Sequence, residues 1–163
     1  MAARINQHIL IARKLLRQHR EIYPQYWKWS DNAVDHAVLY GWQSTVFGWV
    51  QQVAEDFNHR SLRNFHMQAN GAEMLRLAIC MATEAGIQVC APVHDAVLIQ
   101  APESETEEKA LQMQVIMNRA SSIVTGGFEL RTEIKKPIYH PSHFYDKRGA
   151  KMYERVMNLI KTV

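Results

Sequence analysis

His94 and Asp95 stand at the tip of a short hydrophobic hairpin, and no other pair in this chain is so well equipped for chemistry. Val89-Cys90-Ala91-Pro92-Val93 runs in and Ala96-Val97-Leu98-Ile99 runs out. Such a turn ordinarily carries Gly, Asn-Gly or Asp-Gly; this one carries an imidazole and a carboxylate and no glycine. A carboxylate held at a rigid strand turn is a ligand for a hard cation such as Mg²⁺, which takes a few protein oxygens and keeps its waters. Two such carboxylates brought together would hold the metal pair that supports in-line phosphoryl transfer. A lone Asp at a turn serves equally as a cap for backbone N–H groups.

Upstream, Arg60, Asn64 and Gln68 are spaced i, i+4 and i+8, which places all three on one face of a helix. A row of Arg, Asn and Gln is poorly suited to a dry core, because each side chain needs hydrogen-bond partners. It suits the minor groove of a duplex, where acceptors common to all base pairs are displayed. A solvated helix face is the competing reading.

The elements that must position these residues are legible from periodicity. Ile5, Ile9, Ala12 and Leu16 make an apolar stripe over a helix at 4–21, ended or kinked by Tyr23-Pro24. Tyr26, Trp27 and Trp29 read as an aromatic connection, with Ser30 as N-cap of a helix over 31–40 that Gly41 terminates. Trp42 to Val53 reads as a short hairpin about Phe47-Gly48. A long helix spans about 58–85, with Met67, Met74, Leu75, Leu77, Ala78 and Met81 as its buried side. Gly71 in its middle implies an irregular turn or another backbone close by. The hairpin at 88–101 follows, then a helix opened by the capping box Ser104-Glu-Thr-Glu107 and running to about Ser122. Thr125-Gly126-Gly127 is a turn, Glu129 to Lys135 alternates like a strand, and a short helix covers roughly 149–161. Hairpins with helices between them predict an α+β fold around a small antiparallel sheet.

Composition sets the outer bounds. The 163 residues suit one ordinary domain or a piece of a larger one, and the 47% hydrophobic content is enough for a core. No apolar run is long enough to span a membrane, and the N-terminus lacks the apolar stretch of a secretion signal. Cys80 and Cys90 are the only cysteines, without CxxC spacing, and read as two buried thiols in a reducing cytoplasm. Net charge is +3 but uneven. Arg4, Arg13, Lys14, Arg17, Arg20 and Lys28 face the single acid Glu21 in residues 1–29, and a second basic cluster follows Arg131. Glu103, Glu105, Glu107 and Glu108 form an acidic block between them. Basic clusters attract phosphate backbones, and they also occur as ordinary solvated faces.

Other features read as structural. His140-Pro-Ser-His143 has ligand-like spacing but sits in an ordinary loop sequence, and the eight methionines are core filler. Trp27, Trp29, Trp42 and Trp49 could stack on bases, but are assigned to the core or to an interface.

Taken together, Arg60-(x)3-Asn64-(x)3-Gln68, the Gly and Ala-Glu-Met-Leu that follow, and Val93-His94-Asp95 resemble the C-terminal palm of family A DNA polymerases. Gly41-(x)3-Thr45-(x)2-Gly48 is similar to that family's segment linking fingers to palm, and Leu130 to Lys135 to its closing palm strand. The resemblance implies that Asp95 binds the catalytic Mg²⁺ and that His94 lies near the primer-terminal phosphate. It implies that Arg60, Asn64 and Gln68 track the minor groove of primer–template DNA. It divides the chain into a fingers-side remnant with its linking hairpin at 1–57 and a palm subdomain at 58–163.

Three departures limit what the resemblance implies. Ala96 stands where an acidic residue commonly follows the Asp. The upstream strand that carries the other metal-binding Asp has no counterpart, and neither does the fingers helix that grips the incoming triphosphate. The expectation is therefore a polymerase fragment or subunit, inactive alone. A second polypeptide would supply the missing strand and helix, and a large apolar surface would be left on the free chain. The alternatives are a non-catalytic nucleic-acid-binding module and an inactive remnant.

Overall fold

The structure, a computed structural model, describes residues 6–139 and 148–161. Helix α1 (Ile9–Ile22) is followed by α2 (Pro24–Tyr40), β1 (Trp42–Ser44), β2 (Val50–Gln52) and α3 (His59–Glu84). Then come β3 (Gln88–Val93), β4 (Ala96–Gln100), a 3₁₀ turn at Glu103–Glu105, α4 (Thr106–Thr125) and α5 (Ala150–Lys161). The fold is α+β with two separate two-stranded antiparallel sheets, β1–β2 and β3–β4, rather than one shared sheet.

α3 is the spine, and two cores form on its opposite sides. In its first half Leu62 packs with Val34 and Ala37 of α2, against Val53 and Phe57. In its second half Ala78 and Ala82 pack with Ile87 and with Met113, Ile116 and Ala120 of α4, under Val89, Val97 and Ile99 of the hairpin. The switch of sides explains why the expected apolar set is only partly right. Met67 lies on the Ala78 side of α3, in the half where that side is uncovered among the described residues, and is 51% exposed, while the small residues Ala78 and Ala82 are fully covered. Cys80 projects away from the α4 contact and is exposed, contrary to the expected buried thiol.

Several local expectations change for identifiable reasons. Tyr23-Pro24 ends α1, as expected, but Pro24 also starts α2, because its missing N–H costs nothing in the first turn. The aromatic residues at 26–29 are therefore helical, and Ser30 is a buried mid-helix residue, not a cap. Gly41 does end α2 in the left-handed region, at φ 75°. Gly71 lies in unbroken helix with nothing within 4 Å of where a Cβ would stand, so neither an irregular turn nor a close backbone accounts for it. No side chain caps α4 at its N-terminus: Glu105 holds the cap position without a capping bond, and α4 runs on to Thr125.

Residues 129–135 are not a strand. Their partners are α4 side chains: Ser121 Oγ accepts from Leu130 N at 2.9 Å, and Gln114 Nε2 donates to Thr132 O at 2.7 Å. Thr132 Oγ1 donates to Asn118 Oδ1 at 2.8 Å. The segment has no sheet neighbour among the described residues.

Much apolar surface stays uncovered. The accessible surface is 13330 Å², against about 8,300 Å² for a compact monomer of this mass. Exposed large hydrophobics gather on α1, on α5, around the β1–β2 loop and along residues 128–139. Among the described residues no helix is long and apolar enough to cross a membrane.

Candidate nucleic-acid interface

Asn58 caps α3, its Oδ1 accepting from Arg60 N at 2.8 Å and Ser61 N at 3.4 Å, and the helix then presents Arg60, Asn64 and Gln68 in one exposed row. No side-chain bond occupies any of the three among the described residues. The row continues at spacings of three and four through Gly71, Leu75, Ala78 and Ala82. Ala78 and Ala82 are the residues buried under the hairpin and α4. The polar row is thus the uncovered extension of the strip on which the β3–β4 hairpin sits. Row and hairpin share one side of α3, which the sequence spacing could not reveal.

The hairpin follows α3 after a turn in which Gly86 has φ 73° and Ile87 N bonds Ala82 O at 2.9 Å. Strand β3 packs back onto the helix. A six-residue strand reaches about 17–20 Å, the rise of about 11–13 helical residues, enough to bring its tip level with the middle of α3. Val93 pairs with Ala96, so the turn has just two residues, His94 and Asp95. His94 alone has positive φ, at 57°, a place where such hairpins favour glycine. Holding a non-glycine residue there costs of order 1–2 kcal/mol and is the kind of strain that collects at working sites. Both tip side chains are exposed.

The register of the pair slips between Val89 and Ala91. Cys90 is the unpaired residue at this irregularity and is exposed, again unlike the expected buried thiol. Such irregularities add local twist and re-aim the strand beyond them.

Opposite the row, α3 carries a polar anchorage that sequence reasoning missed. The Glu73 carboxylate is 2% exposed. It accepts from Thr45 Oγ1 at 2.8 Å and pairs with Arg76. Thr45 Oγ1 in turn accepts from Trp49 N at 2.9 Å, and Asn70 Oδ1 accepts from Val46 N at 3.0 Å. The β1–β2 loop is therefore clamped to the middle of α3. Nearer the start of α3, Arg63 donates to Ser30 Oγ at 2.8 Å and pairs with Asp31, tying α2 to the same helix. Asn70 and Glu73 at i, i+3 on the face away from Gln68 were the available signal.

Of the four tryptophans assigned to core or interface, Trp29, Trp42 and Trp49 are 41–61% exposed. His140 and His143 lie outside the described residues. Among the described residues no three His, Cys, Asp or Glu side chains gather where they could hold a metal ion. Asp95 offers one carboxylate, which alone does not make a two-metal centre.

No protein-family model matches the chain, and no curated protein sequence does. Among solved structures, it is similar to the polymerase domain of Pol1 from M. smegmatis in complex with DNA primer-template and dNTP. The TM-score is 0.63 at 21% identity, over 73% of this chain and 24% of that one. The chain spans about a quarter of the length of that structure. Within its α+β architecture, with two small antiparallel sheets about a helical spine, the chain has the fold of part of a polymerase domain.

Proposed function

We propose that this chain is a fragment or subunit of a family A DNA-directed DNA polymerase. It binds primer–template duplex through Arg60, Asn64 and Gln68 and supplies Asp95 as one metal-binding carboxylate for nucleotidyl transfer. The observation that carries the reading is the shared side of α3: an unoccupied Arg-Asn-Gln row running into the strip that seats a hairpin with a His-Asp tip. Support for the duplex also comes from the similar fold of a polymerase domain bound to primer-template.

Each of the chain's own groups then has a task. Arg60, Asn64 and Gln68 present donors to groove acceptors just behind the insertion point. His94 stands beside the primer-terminal phosphate. Asp95 holds Mg²⁺ only where a further carboxylate is brought to it, and the metal, once bound, supplies charge stabilisation for phosphoryl transfer. A second polypeptide carrying the missing strand and triphosphate-binding helix fits the uncovered apolar surface. Without it the chain is inactive as a polymerase.

Primer extension with Mg²⁺ tests this, using the chain alone and then with partner fragments carrying the missing elements. Extension is expected only in the mixture, and extension by the chain alone overturns the incomplete site. Arg60→Ala and Gln68→Ala should each weaken duplex binding by about 5- to 150-fold, from about 1–3 kcal/mol per good groove contact. Asp95→Ala should leave binding unchanged or stronger. Ala96, standing where an acid is common, favours a second reading, a non-catalytic duplex-binding module. Intact duplex binding with no extension from any partner mixture would select it.

A further inference from the structure

α1 and α2 together carry a surface that the duplex row does not use. Arg13, Arg17 and Arg20 lie at i, i+4 and i+7 and line one exposed face of α1. Glu21 is the single acid of that helix, and neither Arg13 nor Arg17 meets a carboxylate among the described residues. The row covers about 10 Å of helix and ends in an aromatic run. The Arg20 guanidinium lies 4.4 Å from the centre of the Trp27 ring, and Arg63 approaches the same ring at 5.7 Å.

From Trp27 the rings continue. Tyr26 lies 5.6 Å from Trp27 and 6.1 Å from Trp29, and Trp29 meets His66 edge-on at 5.8 Å. His19 joins the run at 4.8 Å from Tyr23 and accepts from the Trp27 indole N–H at 3.0 Å. The rings are therefore held in place, yet Tyr23, Tyr26 and Trp29 remain 40–54% exposed. Fixed, half-open rings interleaved with arginine and continued by a basic row are what a single strand requires, since every base has a π-face and every linkage a charge.

We propose that the α1–α2 face binds a single-stranded polynucleotide, with phosphates along Arg13, Arg17 and Arg20 and bases stacked at Tyr26 and Trp29. A membrane surface fits less well. The apolar stripe of α1 is partly used against α2, where Ala12 is buried, and the rings belong to the packed helix α2 rather than to a free amphipathic one. The site uses different residues from the duplex row and stands or falls separately.

The test is fluorescence anisotropy of labelled oligo(dT) and oligo(U) with the full chain across a salt series. Quenching of tryptophan emission is followed in parallel, and the two oligonucleotides assign the sugar. Binding is expected with a log–log salt slope near about −2, from three neutralised phosphates. Trp29→Ala should weaken it by about 5- to 150-fold, with Trp29→Phe restoring it. The surface pair Arg13→Ala/Arg17→Ala, which leaves the packing intact, should flatten the slope by about 1.4. Arg60→Ala/Gln68→Ala should leave oligonucleotide binding unchanged, which separates this site from the duplex row. Three results would each overturn the proposal. These are no binding at 50 mM salt, binding indifferent to both Trp29→Ala and the arginine pair, or tighter binding to phosphatidylserine vesicles than to either oligonucleotide.

Discussion

The Thr45 hydroxyl donates to the Glu73 carboxylate at 2.8 Å across 28 residues of sequence, in a buried setting. The bond joins the loop between β1 and β2 to the helix whose other face carries the candidate duplex row. A buried carboxylate without its donors is costly, and hydrogen bonds to charged groups contribute about 1.5–3 kcal/mol each. Thr45→Val and Glu73→Gln should each destabilise the chain by about that amount. In a double-mutant cycle read by chemical denaturation, the coupling should be at least about 0.5 kcal/mol. Strictly additive effects would show that the bond does not hold the loop.

Gly71 and Gly48 should respond oppositely to alanine. Gly71 sits in regular helix with open space where a Cβ would go, so Gly71→Ala should stabilise by about 0.5–1 kcal/mol. Gly48 has φ 85° at the β1–β2 loop, so Gly48→Ala should destabilise despite equally open space. Thermal midpoints moving in the same direction would contradict this account.

At the hairpin tip, stability and function should part company. His94 has φ 57° in a two-residue turn, so His94→Gly removes strain of about 1 kcal/mol, partly offset by the added freedom of the unfolded chain. The variant should be no less stable than the parent. In a completed polymerase mixture it should nevertheless extend primers more slowly. A clear loss of stability would mean that the imidazole is a packing element.

Stability should also fall on mild acidification through His66. Burial, and secondarily the nearby His36, hold the His66 pKa below its ordinary value of 6.5. The folded state therefore resists a proton that the unfolded chain accepts, so this contribution is complete above about pH 6.5 and is lost as the pH falls below that toward the lowered folded value. The drop in melting temperature between pH 7.5 and 5.5 should be smaller in His66→Gln than in the parent. An unchanged difference would remove His66 as the cause.

Residues 129–135 should loosen when their tethers are cut. Asn118 and Gln114 hold Thr132 from α4, with no strand neighbour among the described residues to share the task. In the double variant Asn118→Ala/Gln114→Ala, amide exchange should rise along this segment while α4 itself stays protected. Equal exchange in parent and variant would point to a tether elsewhere.

The sequence alone was enough for whatever local physics decides. Apolar runs on either side of His94-Asp95 located one hairpin and the residues about Phe47-Gly48 the other, Gly41 announced the end of α2, and the i, i+4, i+8 spacing placed Arg60, Asn64 and Gln68 on one exposed face. Local rules went astray where two of them competed. Tyr23-Pro24 stopped one helix as expected but also started the next, and Ser104 and Glu107 could form a capping box that the 3₁₀ turn pre-empted. Only the tertiary structure decided which side of α3 meets what. Its first half turns toward α2 and its second half toward α4, so burial follows two stripes and no single periodicity describes it. That switch buries Glu73 and bares Met67 and Cys80, while the α4 tethers of residues 129–135 take the place of a sheet neighbour among the described residues. It also puts the polar row and the His94-Asp95 hairpin on the same side of one helix, because packing between distant segments, not spacing within one, sets where a face points.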